Sequence, residues 1–204
     1  MNRKWCIGLT GRMASGKGEV AEFLKKKGYR YISLSDIVRE EVVRLGRKVT
    51  RAEMQDIGNS LRKYGGAGVL GTRVREKIEA SAREKWVIDG IRNPAEVYEL
   101  KKLESFNLIG IDTGIDIIIS RIKSRNRDTD KATDSELKKR LDREWGIEEP
   151  EDGQQVGKCM KIADFFIYND KSLPELRVEI LKILTVINER QGSPSTGSGC
   201  LLND

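Results

Sequence analysis

Apolar and polar positions along the chain follow two rhythms. Short, mostly apolar runs at Trp5–Leu9, Tyr29–Ser33, Trp86–Asp89, Leu108–Asp112 and Phe165–Tyr168 read as strands. Between them, apolar residues return at three- and four-residue spacing. That spacing predicts helices over Lys17–Lys27, Ser35–Leu45, Arg51–Lys63, Gly68–Ala82, Pro94–Leu103, Ile115–Ser124, Asp134–Glu144, Gln154–Ile162 and Pro174–Arg190. Ser35 is the expected N-cap of the second helix. Strands alternating with helices predict an α/β fold, a mostly parallel sheet covered on both faces. Ligands of such sheets sit beyond the carboxyl ends of the strands.

One stretch changes this picture from architecture to chemistry. Gly11-Arg12-Met13-Ala14-Ser15-Gly16-Lys17-Gly18 joins the first strand to the first helix. A glycine-rich turn there aims backbone N–H groups at one point, and the helix N-terminus adds its positive field. Lys17 supplies a mobile charge for the outer phosphates of a nucleotide. The pattern is that of a phosphate loop (Walker A) except at Gly18, where a Ser or Thr would place a hydroxyl on Mg²⁺. Glu19 is a candidate replacement ligand, although an acidic residue also suits a helix's first turn on electrostatic grounds alone.

Composition narrows the choice. Among 204 residues there is no histidine, which excludes histidine general-base catalysis and Ser-His or Cys-His triads. Phosphoryl transfer needs neither. The net charge of +6 suits an anionic partner. Aromatic residues do not interleave with basic ones along the chain, which favours a small anionic substrate over nucleic acid. No stretch is long and apolar enough to span a bilayer, and the start lacks the apolar core of a signal peptide. Cys6, Cys159 and Cys200 make no metal-ligand spacing or disulfide framework, so a reduced, cytoplasmic protein is expected. Residues 1–190 read as one domain, and the Gly- and Ser-rich 191–204 as a flexible tail or linker remnant.

Three further constellations stand at predicted strand ends or helix starts. Ser35, Asp36 and Arg39 open the second helix, where an arginine can clamp an acceptor phosphate with two donors. Asp89 ends an apolar strand, aimed as a carboxylate that organises a metal's water shell. Gly90 lets a ligand approach the backbone, and Arg92 follows in the loop. Asn93-Pro94 would also suit a plain strand-to-helix turn. Arg121 and Arg125, four apart, share a helix face ahead of a polar stretch with Arg127, then Arg140 and Arg143. Such arginines can close over donor phosphates.

Taken together, these motifs resemble the P-loop nucleoside monophosphate kinases. Adenylate kinases carry a loop ending G-x-G-K-G-T, matched through Gly18 but not at Glu19. Their I-S-T-G-D-M-L-R is similar to Ile32–Arg39, and their D-G-F-P-R to Asp89-Gly90-Ile91-Arg92, with the arginine one residue early. Their R-I-x-G-R resembles Arg121-Ile122-Lys123-Ser124-Arg125. The chain also resembles adenylate-kinase-like and dephospho-coenzyme-A-kinase-like proteins, largely archaeal. The resemblance implies a three-layer fold with a five-stranded parallel core, helices on both faces and a lid near 125–140. It implies ATP as donor, Mg²⁺ as cofactor and a nucleoside or deoxynucleoside monophosphate as acceptor. Gly11 to Glu19, with Arg121, would take ATP. Ser35, Asp36, Arg39, Asp89, Gly90 and Arg92 would take the acceptor, with Asp89 reaching the metal through water. Lys17, Arg92, Arg121 and Arg125 would carry the transfer, and Arg127, Arg140 and Arg143 the lid. Dephospho-coenzyme A as acceptor, and a nucleotide-binding regulatory module without turnover, are the alternatives. Some relatives are joined to a deaminase domain, which such a tail would permit.

Overall fold

The computed structural model describes residues 4–124 and 133–192. Five strands form one parallel sheet: β1 (Trp5–Thr10), β2 (Arg30–Ser33), β3 (Lys85–Ile91), β4 (Ser105–Asp112) and β5 (Phe165–Tyr168), ordered β2-β3-β1-β4-β5. All five predicted strands are present. β4 starts earlier than expected because Ser105, although polar, pairs with Trp5 at the edge of the apolar run.

Side-chain alternation along the strands divides the core into two layers. Cys6, Trp86, Ile88 and Leu108 face one side, against α2 (Leu34–Arg44), α3 (Arg51–Gly65), α4 (Val69–Glu79), α5 (Pro94–Leu100) and α8 (Val156–Lys161). Ile7, Leu9, Val87, Ile109, Ile111 and Ile167 face the other, against α1 (Lys17–Lys26) and α9 (Leu173–Gly192). On α9 the buried residues are Leu176, Ile180, Ile183 and Ile187, one apolar stripe at helical spacing. A third, smaller cluster joins Ile118 and Ile122 of α6 (Ile115–Ser124) to Leu137 and Leu141 of α7 (Asp134–Trp145). Ala14 of the phosphate loop is part of it, with Met13 packed against it.

The chain leaves β1 toward β2 and β3 on one side and returns to β4 and β5 on the other. β1 therefore stands at a topological switch point, where open α/β sheets leave a crevice for ligands.

Local capping corrects one expectation. Ser33, not Ser35, is the N-cap of α2: its Oγ accepts the Ser35 N–H at 3.2 Å, and Asp36 reaches back to the Ser33 N–H at 3.3 Å. The extended backbone of Ser33 still belongs to β2, so the helix starts directly at Leu34. Asn93 and Pro94 form a capped strand-to-helix turn, with Glu96 completing the capping box.

Candidate active site

The segment after β1 is shaped as a cradle. Gly11 takes φ 141° and Gly16 takes φ 114°, values that L side chains rarely adopt. A Cβ on Gly11 would stand 1.9 Å from the Ile111 carbonyl oxygen, and one on Gly16 2.1 Å from the Asn169 side-chain nitrogen. Ala14 also has positive φ, at 57°. The first amides of α1 point out of the helix toward the loop's concave side. Lys17 Nζ crosses the loop, donating to the Gly11 carbonyl at 2.6 Å and the Arg12 carbonyl at 2.8 Å. Glu19 is exposed in the first turn of α1, and a Cβ on Gly18 would meet nothing within 4 Å.

Polar residues stand at the carboxyl ends of the neighbouring strands. Ser33 of β2 pairs with Asp89 of β3, and Thr10 of β1 with Ile91. This brings Ser33, Ser35, Asp36, Asp89 and Gly90 into one neighbourhood. The Ser33 and Ser35 hydroxyls are 2.8 Å apart, and Gly90, at φ 78°, lies against Ser33. Asp89 Oδ2 accepts the Tyr31 hydroxyl at 3.2 Å, while Oδ1 accepts the Gly90 N–H at 2.7 Å. Partial burial, then the negative charge of Asp89, pushes the Tyr31 phenol up to about 12. Arg39 is exposed and stands 4.0 Å from Asp36.

Arg92 follows directly on β3. Its side chain donates to Gln154 at 3.1 Å and stands 3.9 Å from Glu144. Glu96 accepts its backbone N–H at 2.8 Å and that of Asn93 at 3.1 Å. Arg121 of α6 reaches the loop from the far side, donating to the Asn169 carbonyl at 3.0 Å and, more weakly, to the Ala14 and Ser15 carbonyls. Arg12 forms an ion pair with Asp112 at 3.0 Å, and its guanidinium lies 3.8 Å from the centre of the Trp145 ring. Arg140 lies on α7, and Arg143 pairs with Glu149 at 2.8 Å. Arg125 and Arg127 fall outside the described residues. Of the expected lid, 125–132 falls outside them too, and Asp134 to Arg140 form the first turns of α7.

Three site residues escaped the reading of the sequence. Asp112 ends β4 as Asp89 ends β3, and the same strand-end logic would have found it. Asn169 follows β5 directly and ties it to the loop, donating from its side chain to the Ser15 carbonyl at 2.7 Å. Glu144 accepts the Met13 N–H at 2.7 Å from 131 residues away, and nothing in its local sequence signals that contact.

The arrangement fits a nucleotide's phosphates: a backbone cradle that only glycine permits at two points, a lysine across it, and a carboxylate on the next strand. Among the described residues no group of three or more carboxylates or thiols could hold a metal by itself. A metal ion would thus depend on phosphates and water, with Asp89 a strand-end carboxylate beside β1. A surface cleft of about 520 Å³ lies elsewhere. It is lined by Lys25, Arg30, Arg83 and Lys85 at the amino ends of β2 and β3. No helix among the described residues is long and apolar enough to cross a membrane.

Sheet order, loop and strand-end polar residues together define a P-loop kinase-like fold. A family model described as an AAA domain matches residues 10–138. A UPF0200 protein of Methanoculleus marisnigri is 32% identical over 188 residues, covering 91% of this chain and 98% of that one. A UPF0200 protein of Sulfurisphaera tokodaii is 31% identical, covering 87% and 94%. The chain belongs to the AAA-domain family of that model and, with these relatives, to the UPF0200 proteins. Solved structures share the fold at low identity. TT1252 from Thermus thermophilus has a TM-score of 0.60 at 17% identity, covering 94% of this chain and all of its own. A gluconokinase from Sinorhizobium meliloti has 0.56 at 16%, covering 94% and 97%. A shikimate kinase from Aquifex aeolicus has 0.51 at 16%, covering 92% and 99%.

Proposed function

We propose that this protein transfers the γ-phosphoryl group of ATP to a nucleoside or deoxynucleoside monophosphate. The observation that carries the reading is the shared crevice: the phosphate loop with Lys17 opens from β1, and Asp89 and Arg92 follow from β3 beside it. Mg²⁺, when bound, neutralises charge on the β- and γ-phosphates. The loop amides and Lys17 hold those phosphates, and Asp89 orients water around the metal. Arg39 and Arg92 orient the acceptor phosphate, while Arg121 steadies the loop from behind. Arg125 closes over the transferring group, and Arg127, Arg140 and Arg143 serve the lid. No general base is needed, because a phosphate oxygen is already a nucleophile.

One observation favours a second acceptor, dephospho-coenzyme A, whose nucleophile is a hydroxyl. Asp36 and Asp89 place carboxylates on the acceptor side, and Arg39 is already next to Asp36. A hydroxyl acceptor uses such a carboxylate to take its proton.

Formation of the acceptor's own product from Mg-ATP, a nucleoside diphosphate from the ribo- and deoxynucleoside monophosphates or coenzyme A from dephospho-coenzyme A, separates the two. For a monophosphate acceptor, Arg39→Ala raises its KM about 10- to 100-fold, as loss of a charge-assisted contact does, and leaves the KM for ATP unchanged. Equal change in both constants counts against this assignment.

A further inference from the structure

Glu144 is almost fully buried, at 5% exposure, at the carboxyl end of α7. Its Oε2 accepts the N–H of Met13 inside the phosphate loop at 2.7 Å, a short, charge-assisted bond. Its Oε1 stands 3.9 Å from the Arg92 guanidinium. One carboxylate thus bridges a donor of the phosphate loop and an arginine assigned above to phosphate. It is an anion resident where the proposed reaction brings anions.

The contact also couples the loop to a whole helix. Trp145, the next residue, carries the Arg12 guanidinium on its ring. Leu141 and Leu137, one and two turns back, pack in the same cluster as Ala14. The end of α7 therefore rests on residues 12–14 through three kinds of contact.

We propose that Glu144 gates the phosphate loop: it holds the Met13 N–H and Arg92 until a nucleotide phosphate displaces it, and its departure loosens the end of α7. This rests on the phosphoryl-transfer reading above. A carboxylate and a phosphate cannot share one amide, since two anions in contact repel strongly where water is excluded. A glutamine would satisfy the Met13 N–H through its own carbonyl. The charge of Glu144 adds competition for an incoming anion, and with it a barrier to free phosphate and other small anions.

Calorimetric binding of Mg-ATP to wild type, Glu144→Gln, Glu144→Ala and Lys17→Ala tests the gate. The Gln variant keeps the shape and removes the charge, so it should bind Mg-ATP about tenfold more tightly, with the Ala variant also tighter than wild type. In wild type, Mg-ATP should speed backbone hydrogen exchange over residues 141–146; in the Ala variant, which lacks the contact to Met13, that exchange should be fast already. Equal or weaker binding by both Glu144 variants, with exchange there unchanged or slowed by Mg-ATP, would overturn the proposal and leave Glu144 a prop of the loop. The underlying reading fails differently: no protein of the set binds Mg-ATP, or Lys17→Ala binds as well as wild type. The gate then falls with it.

Discussion

Lys17 donates to two loop carbonyls and is a half-buried side chain poised over the cradle. Its ammonium contributes little to folding, since no element of the core depends on it. Lys17→Ala should lower kcat/KM about 100-fold or more, the size of effect seen when one preorganised charge donor is lost. Its melting temperature should stay within about 2 °C of wild type. Gly11 behaves in the opposite way. A Cβ there collides with backbone at a φ that only glycine takes easily, so Gly11→Ala should destabilise the protein by about 2–3 kcal/mol in urea denaturation. A variant as stable as wild type would show that the loop is not held in this shape. Burial raises the thiols of both Cys6 and Cys159 from 9.0 to about 12. The folded chain keeps protons that the unfolded chain releases. Their stabilising effect is complete below pH 9 and is lost as pH rises through 12. Thermal melts across that window should fall less steeply for a Cys6→Ala, Cys159→Ala double variant than for wild type; parallel curves would contradict the assignment.

At the scale of elements, one buried ion pair ties the acceptor side to the sheet. Arg62 of α3 and Glu96 of α5 meet at 3.1 Å, at 9% and 0% exposure. Glu96 also accepts the Arg92 and Asn93 amides, so it fixes the backbone from which Arg92 projects. Glu96→Ala leaves a buried guanidinium and two amides unpaired, and should cost about 3–5 kcal/mol in urea denaturation. A loss under about 1 kcal/mol would mean that water replaces the carboxylate. Elements were legible in the sequence where pattern is local: every strand had its apolar run, and α1 its glycine–lysine start. Legibility ended where an assignment depends on what lies beside a residue in space. Ser33 was hidden as a cap because the strand pattern already claimed it. Glu144 was hidden because it follows the basic run Lys138–Arg143 and meets its partner 131 positions away.

At the scale of the whole molecule, the sheet order places every strand-end polar group along one edge, with the loop at the switch point beside β1. The alternation of strands and helices foretold that edge, and Gly11 to Lys17, Asp89 and Arg92 were placed on it from sequence alone. The acceptor was not legible, because the scaffold is shared by kinases as different as a gluconokinase and a shikimate kinase. Purified protein with Mg-ATP and each acceptor of the panel should form one phosphorylated product, and the Lys17→Ala protein should form about 100-fold less of it. Mg-ATP binding without product from any acceptor, or product made equally by the Lys17 variant, would contradict phosphoryl transfer at this loop.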